Sequence, residues 1–454
     1  MQKNNLKTLL KSFNKANTIL VISKYPYQNV GESFHGVAVY TRDTIELIVK
    51  KTKQKFVVLV EKKYGREMEL RANGSVLILP VFGDNPVSVF GELLTALKNF
   101  NRVKNIQLHS EFYNSGNLMQ MSLLLPFLYL LRLQGKIVSF VAHNVVHDFS
   151  FLTNHLGKEE NDWRFNLLSK IIPWYYRFLS FGVEQFITLD ESIRERLSSY
   201  LWQKNKVKNT SIWLKNKSIS HQEKVIARRR LALSKGDLVL SIFGFMSRYK
   251  GVDLVLRHFL RFKKEFPNSR FKLLLAGGMA PSQSNQAHYQ DFYRGLEKLA
   301  AKHSDITLTG FIPAKELKIY MALTDVVLLP YRGILGASAS WATVLSYGKA
   351  CFFSKALQPY FMASDVQDAL QKAHTKMDEL IFSEDYQAFR KLLLSLEDAD
   401  ALLNRATAFS KFLRSMRDEK VCVFRDFPPL YFPRSNAKNL QACYNDLSDE
   451  EVAA

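Results

Sequence analysis

The sequence predicts an α/β protein with two doubly wound, parallel-sheet domains in tandem. A chain of 454 residues is too long for one ordinary core, and two domains of about 200 residues each are its natural division. Apolar runs of strand length alternate with longer helical patterns, which is typical of parallel βαβ units. A polar, basic stretch interrupts this alternation near the middle of the chain. We expect the two sheets to face each other across a cleft, lined by loops at the carboxyl ends of their strands.

The individual elements follow from the lengths and periods of the apolar runs. In the first half, the predicted strands are 18–22, 56–60, 76–79, 105–109, 137–143 and 185–189, with helices at 37–51 and 122–133. In the second half, the predicted strands are 238–243, 271–276, 306–309, 326–330 and 350–354. Their partner helices are 252–266, 289–303, 314–323 and 340–347.

The polar stretch 203–230 holds nine Lys or Arg residues and one acid, Glu223, and it places the interdomain connection near 212–234. The predicted domains are therefore 1–211 and 212–395, followed at 396–454 by a C-terminal helix and a partly disordered tail. The charge runs in this stretch, at 204–208 and 228–230, are typical of solvated faces.

Composition limits the classes of partner. The chain is 47% hydrophobic and 23% charged, which is globular, and 63 basic against 42 acidic residues leave a formal charge of +21. Such a surplus attracts nucleic acid, anionic lipid headgroups or phosphorylated substrates without choosing between them. The three cysteines, Cys351, Cys422 and Cys443, lie far apart without metal-ligand spacing, which indicates reduced thiols in a reducing compartment.

Neither the N-terminal residues nor the most apolar run predicts insertion into a membrane. Residues 1–10 are polar and basic, and the apolar run 121–133 is interrupted by Pro126 and is shorter than the roughly twenty residues that a spanning helix needs. We expect a cytoplasmic protein, with a peripheral position at the inner face of the membrane left open. The aromatic and basic stretch 163–181 suits a membrane interface or polysaccharide stacking, and it is equally typical of a helix buried against the first sheet.

The basic loop within 242–259 is the strongest candidate site. A strand ends at Phe243, and the loop that follows carries Gly244, Arg248, Lys250 and Gly251 before a helix. Two cations beside a helix N-terminus, where backbone N–H groups are free, can neutralise a diphosphate. The same composition also occurs in solvated basic loops.

The order of the segments after this loop favours the first interpretation. The sequence reads SRYKG, LLAGG, LTGFI, LTDVVLLP and VLSYGKA within about 110 residues. In this order, these segments resemble the retaining GT-B glycosyltransferases of family 4. The resemblance covers 18 to about 390, is weakest at 60–105 and 203–230, and implies a GT-B fold with two Rossmann-like domains.

The first half agrees with this resemblance at two positions. Gly36, before the first long helix, matches the glycine that lets the backbone approach the donor diphosphate, and His143 matches the active-site histidine at a strand end. Taken alone, a histidine at a strand end is more often a hydrogen-bonded structural residue. His147 and Asp148 also suggest a metal, but they lack a third ligand, and we expect neither a metal nor another cofactor.

One departure concerns two glutamates that the family usually carries before its final helix. Their positions hold Leu335 and Thr343. A small-residue loop whose backbone N–H groups hold phosphates is an alternative, and five residues fit it: Gly336, Ala337, Ser338, Ala339 and Ser340. The loss of the glutamates is also consistent with a weak or purely structural copy.

The resemblance implies transfer of a sugar, with retention, from a nucleotide-diphospho-sugar to a glycan or lipid-linked acceptor, as in cell-surface polysaccharide or glycolipid synthesis. Arg248 and Lys250 would stabilise the departing diphosphate, and His143 would contact the donor sugar. The donor site would also include Gly244, Gly277 and the backbone around Phe311 and Ile312. The alternatives are a non-catalytic GT-B subunit that supports a partner transferase and, last, a nucleic-acid binder, for which no motif accompanies the charge.

Overall fold

The computed structural model describes residues 3–26, 36–52, 54–64, 67–83, 85–110, 118–145, 163–281, 283–398 and 400–420, together with Cys422, Asp426 and Tyr431. Within it the chain forms two compact units. Unit 1 comprises Met1–Val146, Lys170–Trp213 and Glu419–Ala454, and unit 2 comprises His147–Ser169 and Leu214–Asp418. The division between Trp213 and Leu214 falls two residues after the predicted boundary at 211.

The described residues of unit 1 form a twisted sheet of eight strands in the order β3-β4-β2-β1-β5-β6-β7-β8. The strands are β1 (Ile19–Ile22), β2 (Phe56–Glu61), β3 (Glu69–Arg71), β4 (Val76–Phe82), β5 (Asn105–Ser110), β6 (Ile137–Ala142), β7 (Gln185–Thr188) and β8 (Val207–Asn209). Its helices are α1 (Lys3–Phe13), α2 (Gly36–Lys51), α3 (Val89–Leu97), α4 (Leu118–Leu133), α5 (Trp163–Gly182, whose first seven residues are assigned to unit 2) and α6 (Glu191–Tyr200). Only β3 runs antiparallel to its neighbour.

The described residues of unit 2 form a parallel sheet of six strands in the order β11-β10-β9-β12-β13-β14. The strands are β9 (Leu238–Phe243), β10 (Phe271–Ala276), β11 (Ile306–Leu308), β12 (Val326–Leu329), β13 (Ala350–Ser354) and β14 (Ile381–Phe382). Its helices are α7 (His221–Arg230), α8 (Val252–Glu265), α9 (Ala287–Ala300), α10 (Leu317–Leu323), α11 (Ala339–Ser346), α12 (Ser364–Lys372), α13 (Met377–Leu380), α14 (Tyr386–Asp398) and α15 (Asp400–Met416).

The central strands are almost entirely apolar, apart from Glu61 in β2 and Ser241 in β9, because both faces of each sheet are covered. All six residues of β2 and of β9 are buried, as are all four of β1 and of β12. Parallel sheets need this cover, since their crossover helices lie on the two faces. Each predicted strand is present, and β9, β10 and β13 match the prediction to the residue.

The polar stretch between the predicted domains has more structure than its composition indicated. It contains β8 and α7, and α7 begins with a capping box in which the Ser220 hydroxyl accepts from the Glu223 N–H and the Glu223 carboxylate accepts from the Ser220 N–H. The interpretation of its charge runs as solvated faces is wrong for two members. Arg228 pairs with Asp325, and the Lys206 ammonium donates to two carbonyls at the C-terminal end of α5.

The chain returns to unit 1 after α15. The Asp426 carboxylate accepts from Thr210 Oγ1 at 3.0 Å and from Trp213 Nε1 at 3.2 Å, and the buried Tyr431 ring meets Phe56 edge-on. Residues 432–454, the last part of the predicted helix and partly disordered tail at 396–454, lie outside the described residues, as do His147 and Asp148. Within the described ranges, no helix combines the length and apolar character that crossing a membrane requires.

Candidate functional site

The carboxyl-terminal edge of the unit 2 sheet gathers the predicted donor residues. After β9 the chain turns through Gly244, makes a short 3-10 turn at Arg248–Lys250 and enters α8 through Gly251, whose backbone is left-handed (φ 68°). Because β9 to β12 run parallel, the loops after these strands emerge at the same edge. The Met246 N–H donates to the Gly278 carbonyl at 3.0 Å, which joins the loops after β9 and β10.

Lys250 is a buried cation with no acidic partner among the described residues. The residue is only 7% exposed. Its ammonium donates to Ser340 Oγ at 3.2 Å and lies over the Tyr331 ring. No carboxylate pairs with it in the part of the chain that the structure describes. Since buried charges are normally paired, this arrangement favours an anionic ligand.

Arg248 is half-buried in the same turn and likewise has no carboxylate partner among the described residues. Its guanidinium lies over the Phe292 ring, 4.8 Å from the centroid. This contact orients the side chain without neutralising its charge. Two cations therefore stand two residues apart, and neither is compensated by an acid.

The turn that carries these cations is held by a pair that the sequence did not reveal. Arg332, after β12, makes a bidentate contact with Asp253 in the first turn of α8, at 3.0 and 3.1 Å. The Arg332 guanidinium also donates to the Arg248 carbonyl, and its backbone N–H donates to the Tyr249 carbonyl. The pair thus ties the turn, at the Arg248 and Tyr249 carbonyls, to the first turn of α8.

The small-residue loop before α11 reaches the same place. Ser338 is the N-cap of α11, and its hydroxyl accepts from the Trp341 N–H. The Ser338 side chain therefore helps to begin the helix, in addition to any role of its backbone N–H. Ala339 and Ser340 are the first helical residues, and the first N–H groups of a helix lack partners inside it. Gly336 and Ala337 precede the cap and are half-buried. The loop therefore presents a helix N-terminus beside the Lys250 ammonium.

Two glycines in this region leave space that a side chain would fill. A Cβ on Gly277 would lie 1.9 Å from the Gly244 carbonyl oxygen, and a Cβ on Gly244, whose backbone is left-handed (φ 100°), would lie 2.6 Å from the side-chain atoms Lys250 Nζ and Ser340 Oγ. A Cβ does not make nonbonded contacts this short. Gly244 thus leaves the space in which Lys250 and Ser340 meet, and Gly277 lets the two loops approach each other.

The remaining positions in unit 2 are less engaged. Phe311 follows β11, is 45% exposed, and packs its backbone against Gly278, while Ile312 is half-buried. Where the family usually has glutamates, Leu335 is half-buried and Thr343 donates back to the Ala339 carbonyl of α11. Neither position supplies a charge.

In unit 1, His143 lies directly after β6 and forms a pair with His109 at the end of β5. His109 Nδ1 lies 3.0 Å from His143 Nε2, and His109 Nε2 lies 3.1 Å from Gln107 Oε1. Because that oxygen can only accept, His109 carries its proton on Nε2, and its Nδ1 accepts from the His143 Nε2–H. His143 Nδ1 is then the unprotonated nitrogen.

Helix α2 covers this histidine pair. Tyr40 meets the His143 ring edge-on, and Thr41 Oγ1 lies 3.3 Å from His109 Nδ1. Gly36 is the first, exposed residue of the same helix. His109 was missed in the sequence, although the signal that identified His143, a histidine where a buried strand ends, is also present there.

Burial, and after it the positive charge of Lys24, lowers the pKa of His143 to about 3. Burial and the neighbouring His143 lower the pKa of His109 well below its ordinary value. Both rings are therefore neutral at physiological pH.

Acid should consequently destabilise unit 1 through this pair. In the unfolded chain the imidazoles bind protons below about pH 6.5, whereas in the folded state they stay neutral. The free energy of unfolding therefore falls by about 1.4 kcal/mol per histidine by about pH 5.5. His143→Gln should remove one histidine's share of this loss. Urea unfolding of both proteins at about pH 7.5 and 5.5 measures it, and an equal pH dependence in the two would contradict the buried neutral state.

Within the described ranges, no three His, Cys, Asp or Glu side chains gather to hold a metal ion. The expectation of a metal-independent protein stays a prediction.

A scan against protein-family models and a search of curated proteins give no match. Solved structures do match. HepE from Anabaena, in complex with UDP, has a TM-score of 0.60 at 11% identity, covering 91% of this chain and 99% of that one. Sucrose-phosphate synthase from Thermosynechococcus elongatus has a TM-score of 0.66 at 13% identity, covering 94% and 99%. An α,α-trehalose-phosphate synthase (UDP-forming) from Burkholderia vietnamiensis has a TM-score of 0.60 at 13% identity, covering 92% and 99%. These likenesses confirm the predicted GT-B fold.

Proposed function

We propose that this chain is a glycosyltransferase that moves a sugar from a nucleotide-diphospho-sugar to a glycan or lipid-linked acceptor, with retention of anomeric configuration. The observation that carries the proposal is the buried, uncompensated Lys250 ammonium beside the N-terminus of α11. A diphosphate supplies the negative charge that this position lacks. Arg248 adds a second cation within the same turn.

The chemistry follows from this placement. As the bond from the sugar C1 to the diphosphate oxygen breaks, its electron pair stays on the diphosphate, and negative charge grows where Lys250, Arg248 and the α11 N–H groups lie. Donors that are already in position stabilise this charge without reorganising, which lowers the barrier. Because the Asp253–Arg332 pair holds the turn, the cations keep their positions before the donor arrives.

His143 is assigned to the donor sugar. Positive charge develops on the sugar ring as the diphosphate departs, and a protonated imidazole nearby would oppose it. The lowered pKa of His143 keeps the ring neutral, so it can accept a hydrogen bond through Nδ1 without this repulsion. His109 and Gln107 act as positioning residues, since they fix which nitrogen carries the proton.

The solved neighbours support a nucleotide donor. HepE was crystallised with UDP and with UDP-glucose, and the trehalose-phosphate synthase is described as UDP-forming. In this chain we assign the backbone around Phe311 and Ile312 to the nucleotide base, as the family resemblance implies; the Phe311 backbone packs against Gly278.

One observation favours a second candidate function, a non-catalytic GT-B subunit that supports a partner transferase. The two positions at which the resemblance expects glutamates hold Leu335 and Thr343, and the Thr343 hydroxyl is engaged by its own helix. Such a subunit would stabilise its partner and would not turn over a donor.

Donor binding and turnover test the proposal in sequence. Melting curves with UDP-, GDP- and ADP-sugars should show a raised Tm with one nucleotide class, since a ligand that binds only the folded state stabilises it. Transfer or slow hydrolysis of that donor should persist in excess chelator. Binding without any turnover would favour the non-catalytic subunit, activity restored only by a divalent ion would overturn the metal-independent mechanism, and no shift with any donor would refute the proposal.

A further inference from the structure

One face of helix α5 in unit 1 is apolar and uncovered. The opposite face packs into the unit through the buried side chains of Ile172, Tyr176 and Leu179. On the outer face, Ile171, Trp174, Phe178 and Phe181 follow at spacings of three, four and three residues, and each is about half exposed. A helix on the surface of a globular protein normally carries polar residues there. The buried face agrees with the interpretation of this stretch as a packed helix. Contact of the exposed face with a membrane or a polysaccharide stays a prediction.

Neighbouring elements extend this face into a continuous surface. The Phe181 and Trp202 rings lie 5.7 Å apart, and the Arg177 guanidinium lies 4.6 Å from the Trp174 ring and 5.6 Å from the Trp202 ring. From α4, Tyr129 and Arg132 donate to the Phe178 and Phe181 carbonyls, and Leu133, next to Arg132, is 85% exposed. We call the resulting surface the aromatic patch; its members are Leu133, Ile171, Trp174, Phe178, Phe181 and Trp202.

Cations predominate in the elements that supply the aromatic patch. Helices α4 and α5 and the segment 200–209 together hold seven Lys or Arg residues and no Asp or Glu, and Glu184 follows α5 by two positions. Lys204 and Lys208 are exposed near Trp202 in sequence, and Arg177 lies between the two tryptophan rings. An apolar surface on described elements that carry cations is complementary to an anionic partner with an apolar interior.

We infer that the aromatic patch docks unit 1 onto an anionic lipid surface. Tryptophan and phenylalanine insert at the level of the headgroups, where one side of the ring meets acyl chains, and Lys and Arg pair with anionic headgroups at the same depth. A second copy of the chain fits less well, because a two-fold interface through the patch would bring two surfaces of the same positive charge together. The inference goes beyond transferase activity and does not depend on it.

Vesicle co-sedimentation of the full-length protein, without donor, tests this docking. The protein should bind vesicles of phosphatidylcholine mixed equally with phosphatidylglycerol, bind phosphatidylcholine alone far more weakly, and dissociate as salt rises. Trp174→Ser combined with Phe178→Ser should weaken binding at least about tenfold, because two aromatic side chains no longer leave water. Lys204→Gln combined with Lys208→Gln should also weaken it about tenfold or more.

A matched control uses exposed apolar residues elsewhere. Ile226→Ser combined with Phe412→Ser removes side chains of similar exposure from α7 and α15 of unit 2, and vesicle binding should stay unchanged. Melting curves should show every variant folded. Failure of the wild type to bind anionic vesicles at low salt, equal loss in the control, or a dimer that only the aromatic variant dissociates would each overturn the inference.

Discussion

Replacing Lys250 by methionine is expected to abolish tight donor binding while leaving the unliganded protein as stable as before or more so. The ammonium is buried, hydrogen-bonded to one hydroxyl and not paired with a carboxylate among the described residues. Methionine has a similar length and removes the charge, so the free energy of unfolding should stay level or rise by about 1 kcal/mol. A lost charge-assisted contact of about 1.5–3 kcal/mol should lower turnover by about tenfold to several hundredfold.

Lys263→Met is the matched control in the same unit. Its ammonium pairs with Asp305 at 3.0 Å and donates to the Ser269 carbonyl at 2.8 Å. This change should cost about 1–3 kcal/mol of stability and leave donor affinity alone. Lys250→Met should therefore lose donor affinity and keep its stability, whereas Lys263→Met should lose stability and keep its donor affinity. Donor titration and denaturant unfolding of both variants measure the two quantities. If Lys250→Met instead lost stability and kept its kinetics, Lys250 would be a structural residue.

Arg248→Ala should reduce turnover to a similar degree, whereas Lys250→Arg should not restore the wild-type rate. A planar guanidinium needs more room than a compact ammonium. Beside Gly244 there is little room for it, because Lys250 Nζ and Ser340 Oγ already lie 3.2 Å apart there.

Gly277→Ala should strongly lower both the free energy of unfolding and the affinity for the donor. The new Cβ would lie 1.9 Å from the Gly244 carbonyl oxygen, so the loops after β9 and β10 must separate. The hydrogen bond from the Met246 N–H to the Gly278 carbonyl would then stretch. We expect a loss of about 3 kcal/mol or more in the free energy of unfolding. Donor affinity should also fall, because Gly244 borders Lys250.

Gly295→Ala is the corresponding control. Gly295 lies within α9, and a Cβ there meets no atom within 4 Å. Alanine in the interior of a helix should stabilise the protein by about 0.5–1 kcal/mol. Denaturant unfolding of the two variants should therefore give changes of opposite sign. A mild effect at Gly277, comparable in size to that at Gly295, would show that the two loops can move apart at little cost.

The strands were predictable because a buried parallel strand is apolar on both faces and short. The same rule missed β3, which is half exposed and lies at the sheet edge, although Asn73 and Gly74 ahead of β4 are a familiar hairpin signal. The capping box of α7 was also legible as Ser220 followed by Glu223, but the basic composition of the stretch obscured it.

The candidate site was only partly predictable, for a different reason. Arg248 and Lys250 could be selected because their signal is local. The pair that holds them joins Asp253 to Arg332, which are 79 positions apart in the sequence. No local pattern around either residue predicts that the two will meet. The same is true of His109 and His143, which become neighbours only when β5 and β6 align. Sequence pattern identifies the groups that carry charge, whereas long-range packing decides which of them remain uncompensated.

The division of the chain has a consequence for synthesis. Unit 2 ends at Asp418, but unit 1 is completed by residues that follow it, including Asp426, which accepts from Thr210 and Trp213, and Tyr431, which packs on Phe56. A ribosome therefore delivers every residue of unit 2 before it delivers the last contacts of unit 1. Although unit 1 begins first, part of its core stays uncovered until Asp426 and Tyr431 have been synthesised, so it is the unit that chaperones can bind for longer.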